Sequence, residues 1–389
     1  MLLNQIKSKN ILLIYLASVI GGMIFFLPIL ALYLEKSLFS FTNVAIIFSI
    51  EAVALLLFEV PTGAIADLFG RKKTMVTAYC VVIFAIVFLY IGGSMRMFVL
   101  FAIFNSFARA LASGTDSALI YDTLKDEGKE HLYKKIVGTY HALWPLGASI
   151  GSVIGGYLAI SSLSLPVIMT LIPFGFAFVL ILFIKEPKYE KEDHKNVFRH
   201  MFNASKIVIS NKQLVFLMLI GFILLGVGES IHRMGSLFFE FKKIPLMYFG
   251  WITAFIFGGS SIGHFMSHNF SERFGNKKTL IICVIGSPLL ILLATLTLGY
   301  VSILLFIIPS LFFGLRRPVV SHLLNLEITS SKRATLISLY NFMGQLGMAI
   351  FVPFLGYFSD LYSINMAYMV SASLMFLALL FVLFLKEKN

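Results

Sequence analysis

Charged side chains inside apolar stretches are the residues of this sequence best suited to chemistry. In the segment GVGESIHRMG, Glu229 stands three residues before His232 and four before Arg233. On a helix, Glu229 and Arg233 share a face and can form a salt bridge. Two interpretations follow. Either the charges neutralise each other, or Glu229 carries a proton that His232 can share, because the unperturbed imidazole pKa is near neutral.

Other apolar stretches also contain ionisable residues. Arg109 and Asp116 are seven residues apart, so on one continuous helix they share a face. Arg316 and Arg317 are, with Arg109 and Arg233, candidate substrate anchors, although one of the adjacent pair can instead face lipid phosphates. The further proton-coupling candidates are Asp116 and Glu59. Aromatic and neutral polar candidates for a substrate cavity, each also explained by ordinary packing, are Trp144, Asn341 and Gln345.

The composition indicates what surrounds these charges. Of 389 residues, 59% are hydrophobic and 13% are charged, whereas a typical soluble domain has about 25% charged residues. So much apolar surface belongs in a lipid bilayer. A charge at bilayer depth costs at least about 2.5–3.5 kcal/mol, so each of these residues should face a partner or a polar cavity.

Twelve apolar stretches are each about long enough to cross a bilayer as a helix. The sequence therefore predicts an all-α membrane protein with twelve transmembrane helices. The first six predicted spans are 11–34, 42–66, 75–93, 97–120, 135–160 and 165–184. The second six are 214–238, 247–271, 279–298, 301–324, 334–359 and 365–385.

Basic residues predict the orientation of these spans, because cytoplasmic segments carry an excess of Lys and Arg. With both termini inside, the cytoplasmic segments hold 23 of the 31 Lys and Arg, the outer loops hold 4 and the spans hold the other 4. We expect a multi-pass plasma-membrane protein with both termini in the cytoplasm. The net charge of +12 then lies against the inner leaflet, which argues against a nucleic-acid partner.

One polar phrase occurs twice. DLFGRKKTM begins at Asp67 and ERFGNKKTL begins at Glu272, 205 residues later. Six spans per half give both halves the same orientation, as in parallel repeats. We expect two six-helix pseudo-repeats, 1–184 and 214–389, joined by a cytoplasmic linker at 185–213. In the linker, helical spacing predicts an amphipathic surface helix containing Val197, Phe198, Met201, Phe202 and Val208.

These features resemble the major facilitator superfamily of secondary transporters. Its loop signature reads G-x-x-x-D-x-x-G-R-K, and the second copy here departs from it, with Glu272 as the acid and Asn276 in place of the arginine. In this superfamily spans 1, 4, 7 and 10 line a central cavity. The residues that match the signature in register are Gly63, Asp67, Gly70, Arg71 and Lys72.

The resemblance implies a gating role for the first loop. Arg71 would pair with Asp122 at the end of span 4, since a guanidinium can bind a carboxylate through two hydrogen bonds. Asp67 would meet the start of span 11 near Arg333, because a helix N-terminus favours an anion. Together these contacts would close the cytoplasmic side. The alternative is a loop that acts only as a positively charged membrane anchor.

Span 5 carries a second pattern, WPLGASIGSVIGGYLA, in which glycines recur every four residues on one face. Small faces let helix backbones approach closely. The pattern resembles the G-x-x-x-G-P-x-x-G-G signature of exporters of the antiporter type, except that Ser152 replaces the proline. This favours efflux, with ordinary helix packing as the alternative. The glycines are Gly147, Gly151, Gly155 and Gly156.

The resemblance thus implies alternating-access transport, and the residues favour proton-coupled efflux of an amphipathic or lipophilic small molecule by a functional monomer. Its partners would be that molecule, a proton or other coupling ion, and the bilayer. Uptake of an anionic metabolite and a transport-inactive sensor are the alternatives. No cofactor, metal site or enzymatic activity is expected, because both cysteines lie in apolar runs and no metal-ligand or nucleophile motif occurs.

Overall fold

The computed structural model describes residues 8–188, 206, 208–328 and 333–386, and for residues 60, 61, 63–67, 333 and 334 it defines the backbone alone. Within these ranges the chain is helical and contains no strand. The predicted all-α class is therefore confirmed. Most of the predicted amphipathic helix, including Val197, Phe198, Met201 and Phe202, lies outside the described residues.

Six helical spans make up the first half of the chain, and three of them are interrupted. Span 1 consists of Lys9–Gly22, a 3-10 turn at Leu27–Ile29 and Leu30–Leu38. The others are Phe41–Phe69, Arg71–Ile91, Met95–Ala112 with Thr115–Asp126, Tyr133–Ser161, and Leu165–Met169 with Leu171–Leu182.

The second half repeats this arrangement. Its spans are Lys212–Arg233 with Gly235–Phe241, Met247–Phe274, Asn276–Leu296, Gly299–Ile307 with Pro309–Leu326, Arg333–Leu361, and Ile364–Met375 with Leu377–Leu383. Among the described residues, eleven helical segments are long and apolar enough to cross a membrane. The remaining predicted span is a 28-residue helix, Met247–Phe274, whose glycines, serines and histidines lower its hydropathy. Composition therefore confirms eleven of the twelve predicted spans.

The interruption of span 4 corrects one expectation. The first helix ends where the Ser113 amide donates to the Arg109 carbonyl, and Gly114 follows with a left-handed φ of 76°. A new helix begins at Thr115. Arg109 and Asp116 therefore lie on different helices rather than on one continuous face, because the sequence spacing did not reveal the glycine break.

The repeated phrase forms the same turn in both halves. Gly70 has φ 99° and Gly275, 205 residues later, has φ 81°. Both values lie in the left-handed region that glycine enters without a steric penalty. Each glycine ends a long helix and starts the next, so the tight turn predicted for the loop is present twice.

The helices form two compact units. One contains Met1–Leu30 and Ala54–Lys195, and the other contains Ala31–Val53 and Asn196–Asn389. Residues 31–53, the end of span 1 and the start of span 2, thus pack with the C-terminal spans. The division into bundles at 1–184 and 214–389 stays a prediction.

In the first unit, buried glycines bring span 5 against the bend of span 1. A Cβ atom at Gly147 would collide with the Val19 carbonyl, and one at Gly155 would collide with the Phe25 carbonyl. Gly151 approaches the backbone of Met23 in the same way. Such close approach matters in lipid, where van der Waals packing rather than the hydrophobic effect holds helices together.

The second unit has the equivalent seam between spans 7 and 11. Gly226 lies against the backbone of Gly347, and a Cβ atom at Gly347 would collide with the Phe222 carbonyl. Gly347 is the repeat counterpart of Gly147, 200 residues earlier in the chain. The internal repeat is therefore visible in packing as well as in sequence.

In both units, a side-chain amide joins the start of the first span to the chain that follows the sixth span. The Asn10 amide donates to the Lys185 carbonyl at 2.9 Å and accepts from the Lys185 amide at 3.0 Å. In the second unit, Gln213 accepts from the Lys386 amide at 2.8 Å. Each pair connects the start of a first span to the chain after a sixth span. This places the two ends of each six-span set side by side.

An aromatic cluster fixes the end of span 7. The Phe238 and Tyr368 rings stack with centroids 4.6 Å apart, and the buried Tyr368 hydroxyl donates to the Ile231 carbonyl at 2.7 Å. A hydroxyl buried in this way needs its partner, because an unsatisfied polar group is costly away from water.

We expect Tyr368→Phe to destabilise the protein by about 1 kcal/mol, because it removes one buried hydrogen bond and keeps the ring stack. The measurement is the thermal unfolding midpoint of the purified protein in detergent. Tyr362→Phe is the matched control, because Tyr362 is 67% exposed. Equal midpoints for the two variants would contradict the role of the Tyr368 hydroxyl.

Candidate functional site

The most enclosed ion pair among the described residues joins span 7 to span 2. Arg233 Nη1 donates to Glu51 Oε2 at 2.9 Å, and the Glu51 side chain is 2% exposed. The guanidinium also lies over the Phe48 ring, 5.6 Å from its centroid. Arg233 therefore pairs with span 2 rather than with Glu229. The intrahelical salt bridge suggested by the spacing is not formed, because a carboxylate from another helix occupies the guanidinium.

Glu229 lies one helical turn before Arg233 and is half-buried. In the described part of the chain, its carboxylate makes no hydrogen bond and no ion pair. His232, also half-buried, is close enough to Glu229 to experience its charge. The structure thus brings Glu229 and His232 together and assigns Arg233 to a different partner.

Further polar contacts hold residues 31–53 to the C-terminal spans. The Asp360 carboxylate accepts from the Ser40 hydroxyl at 2.8 Å and from the Phe41 and Thr42 amides, each at 2.9 Å. At the start of span 2, these amides have no acceptor within their own helix, and the helix dipole favours an anion there. Lys36 adds an ion pair with Glu240 at 2.8 Å.

Sequence reasoning missed this set of contacts. The only signal was Ser40 and Thr42 at the start of a span, a composition typical of helix N-termini. The remote carboxylate that binds there, Asp360, lies 318 residues from Thr42. No local pattern reports a contact over such a separation.

The first copy of the repeated loop contains the contact that the resemblance implies. Arg71 Nε lies 3.3 Å from Asp122 Oδ2, and the two side chains are 16% and 14% exposed. Glu186, which the sequence did not single out, accepts from the Lys72 amide at 3.1 Å. Glu186 and Asp122 together place two carboxylates at the start of span 3. Whether this arrangement acts as a gate stays a prediction.

Parts of the expected gate lie outside the described residues. The structure describes only the backbone of Gly63, Asp67 and Arg333. The contact of Asp67 with span 11 therefore stays a prediction. In the second copy, Glu272 is 67% exposed and lies 3.3 Å from His268 on its own helix. This local pair differs from the interhelical pair of the first copy.

Span 2 and span 4 place three further candidates in the first unit. Glu59 and Arg109 are both exposed and lie within electrostatic range of each other. Asp116 accepts from the Ser117 amide at 2.6 Å and is close to the Tyr140 hydroxyl. Arg109 therefore lies near Glu59 of span 2, and Asp116 lies near Tyr140 of span 5.

Span 10 separates its two arginines. Arg316 is 5% exposed, and its guanidinium lies 5.6 Å from the Phe313 ring centroid. Cys283 on span 9 and Tyr340 on span 11 are close enough to experience its charge. Arg317 is exposed. The adjacent arginines thus occupy different environments, one inside the unit and one at its surface.

Aromatic and apolar surface is also available. Trp144 is 41% exposed, Asn341 is exposed and Gln345 is half-buried. Spans 8 and 10 enclose an apolar groove of about 560 Å³ that sequence reasoning did not identify. Its wall includes Tyr248, Trp251, Phe255, Ile262, Tyr300 and Leu304.

The described residues offer little for a metal or a disulfide. They contain no group of three or more His, Cys, Asp or Glu side chains that could hold a metal ion. Cys80 is half-buried and Cys283 is buried, and both are free thiols. The chemistry of the described part of the chain therefore rests on carboxylates, guanidinium groups, imidazoles and phenols.

The family of the chain is given by comparison with known proteins. A sequence profile of the Major Facilitator Superfamily matches residues 11–243 and 240–389. The chain belongs to the Major Facilitator Superfamily. It is similar to the uncharacterised MFS-type transporter YxaM of Bacillus subtilis strain 168, with 23% identity over 366 residues, 89% of this chain and 88% of that protein.

Solved structures of the superfamily share its fold. A mutant form of the nucleoside transporter NupG superimposes with a TM-score of 0.83 at 15% identity, covering 97% of this chain and 100% of that one. A D-xylose-proton symporter superimposes with a TM-score of 0.77 at 15% identity, covering 97% and 98%. At such identities the likeness concerns the fold and not the substrate.

Membership of the Major Facilitator Superfamily identifies the chain as a secondary transporter rather than an enzyme. It is a multi-pass membrane protein that moves a small molecule.

We expect Arg71→Ala to reduce transport about tenfold while leaving membrane insertion intact, because a coupling contact in a conformational switch is typically worth 1–3 kcal/mol. The measurement is initial transport rate per inserted molecule in membrane vesicles. Glu272→Gln, in the second copy, is the matched control and should cost less, because its pair is local and exposed. Equal losses from both loops would contradict an asymmetric role.

Proposed function

We propose that this transporter exports an amphipathic or lipophilic small molecule by alternating access, driven by protons through Glu229. The observation that carries the proposal is that two charged residues one turn apart on span 7 differ in their partners. Arg233 is held by Glu51 at 2.9 Å, and Glu229, four residues earlier, makes no ion pair among the described residues.

Proton coupling would follow from a change of partner by Arg233. A carboxylate at bilayer depth is costly in its charged form unless a cation or water stabilises it. While Glu51 holds the guanidinium, Arg233 is not paired with Glu229. A movement that separates span 2 from span 7 would offer the guanidinium to Glu229, which would then release its proton. Proton binding and conformation would thus change together.

The contacts around residues 31–53 support a switch of this kind. Asp360 and Lys36 hold the same segment through exposed or half-buried polar contacts. Such contacts exchange readily with water, unlike a packed apolar core. A segment held in this way is suited to attach and detach during transport.

The direction of transport rests on span 5. Its glycines pack directly on the bend of span 1, and their spacing resembles the antiporter signature. Ser152 replaces the proline of that signature and is fully buried. These features support efflux over uptake.

The nature of the substrate is supported by the apolar groove of about 560 Å³ and by exposed Trp144. Aromatic walls bind the hydrophobic bodies of amphipathic molecules through large contact areas. The solved relatives are named for nucleosides, D-xylose and peptides. Because these are different substrate classes, the shared fold leaves the choice to the side chains of each protein.

A cysteine-labelling experiment tests the orientation, with both native cysteines replaced. Lys191→Cys should react with a membrane-impermeant thiol reagent only after the cytoplasmic face is opened, since the basic segments are expected to be cytoplasmic. Arg96→Cys, an exposed residue in the first turn of span 4, should react in intact cells. The reverse pattern would invert every side assignment.

The coupling residue is tested with Glu229→Gln in proteoliposomes. The substrate panel contains a lipophilic cation, a neutral drug and an organic anion. We expect the variant to lose pH-driven accumulation and to retain substrate exchange in the absence of a gradient, because glutamine keeps the shape and cannot release a proton.

The matched control is Glu130→Gln, an exposed carboxylate outside the spans, which should behave like the unmodified protein. A Glu229→Gln protein that still builds a substrate gradient at the normal rate would make Glu229 a structural residue. Glu59 on span 2 would then be the next proton carrier to test.

A further inference from the structure

Arg316 is a buried charge with no opposite charge paired to it among the described residues. Its side chain is 5% exposed. In the part of the chain that the structure describes, its guanidinium forms no hydrogen bond and no ion pair with a carboxylate. Its nearest aromatic neighbour, Phe313, belongs to its own helix. This differs from Arg233 and Arg71, which both contact acidic side chains.

An unpaired guanidinium in this position is energetically costly. Removing one partner from a buried ion pair is strongly destabilising, because a charge is left without compensation. The stacking of Arg316 on Phe313 offsets only part of such a cost. A bound anion would supply the missing compensation.

A second donor lies within electrostatic range on span 11. Tyr340 is close enough to Arg316 and to Arg317 to experience their charges, and among the described residues its hydroxyl makes no hydrogen bond. Several side-chain polar atoms of the described residues are shielded from solvent and have no hydrogen-bond partner. The polar atoms of Arg316 and Tyr340 are not among them, so each keeps some accessible surface. Neither donor is therefore sealed from a small ligand.

We propose that Arg316 and Tyr340 form a binding site for one acidic group, a carboxylate or a phosphate. The guanidinium supplies charge-assisted hydrogen bonds with the fork geometry that such groups match, and the phenol supplies a third donor. This inference rests on the proposed function, because it adds an acidic group to the amphipathic substrate. A lipid headgroup phosphate offers the same chemistry, and the experiment separates the two sources.

The internal repeat provides a comparison within the chain. Tyr140, the repeat counterpart of Tyr340 200 residues earlier, lies close to Asp116. The first unit therefore has a carboxylate near this tyrosine, whereas the second unit has guanidinium groups within electrostatic range of it. The tyrosine alone does not select an anion, and the charge beside it sets the selectivity.

The test measures binding to the purified full-length protein in phosphatidylcholine nanodiscs. The probes are octanoate and inorganic phosphate, each compared with sodium chloride at equal ionic strength. The readout is the thermal unfolding midpoint as a function of probe concentration, because a ligand that binds the folded state stabilises it by mass action. A parallel set of nanodiscs contains phosphatidylglycerol, which brings an anionic lipid headgroup.

We expect octanoate or phosphate to raise the midpoint in a saturable manner. Arg316→Gln should weaken that binding at least about tenfold, because hydrogen bonds to charged groups are worth roughly 1.5–3 kcal/mol. Arg316→Lys should weaken it less. Arg96→Gln, which removes an exposed charge at the start of span 4, should leave it unchanged and is the matched control.

Each outcome decides the proposal. Stabilisation by phosphatidylglycerol alone, lost in Arg316→Gln, supports the anion site and assigns it to lipid. If neither soluble probe nor anionic lipid stabilises the protein, or if Arg316→Gln responds like the unmodified protein, the site does not exist. Should Arg316→Gln fail to insert, Tyr340→Phe replaces it, and unchanged probe affinity in that variant overturns the proposal.

The anion site at Arg316 and the proposed proton-coupled export can be rejected independently of each other. Loss of anion binding with intact pH-driven transport would reject the site at Arg316 and leave proton-coupled export standing. Anion binding at Arg316 without any pH-driven transport would retain the site and reject proton coupling. The same purified protein serves both measurements.

Discussion

A charge in the hydrocarbon of a membrane must meet an opposite charge, a polar cavity or a proton. This constraint explains the different environments of the ionisable residues here. Arg233 is neutralised by Glu51 and stacks on Phe48. Glu229, one turn away, forms no ion pair among the described residues, and this is what makes proton exchange chemically reasonable. The proposed coupling is therefore a consequence of which carboxylate holds one guanidinium.

The two halves of the chain share backbone features and differ in their charged residues. The two halves share the left-handed turns at Gly70 and Gly275 and the glycine seams at Gly147 and Gly347. These features serve backbone geometry, which is the same in both halves. The charges differ, with Asp116 near Tyr140 in one half and Arg316 near the counterpart Tyr340 in the other. The repeated backbone thus carries two chemically distinct polar sites.

Packing in the absence of a hydrophobic driving force gives the glycine seams their importance. Water does not push helices together in lipid, so contacts depend on how closely backbones can approach. Seams of this kind permit small rotations without creating large voids, whereas polar contacts such as that of Asp360 with the start of span 2 are specific to one arrangement. The two kinds of contact together suit a protein that alternates between conformations.

The sequence alone determined the class of the protein, the approximate spans and the internal repeat. Hydropathy and helical length are local properties, and the loop around Arg71 matches a specific signature. Tertiary structure decided the partners. Arg233 lies four residues from Glu229 and yet pairs with Glu51, 182 residues away, and a glycine separates Arg109 from Asp116 on different helices. Spacing along one helix shows which residues are able to meet, whereas the packing of other helices decides which contacts form.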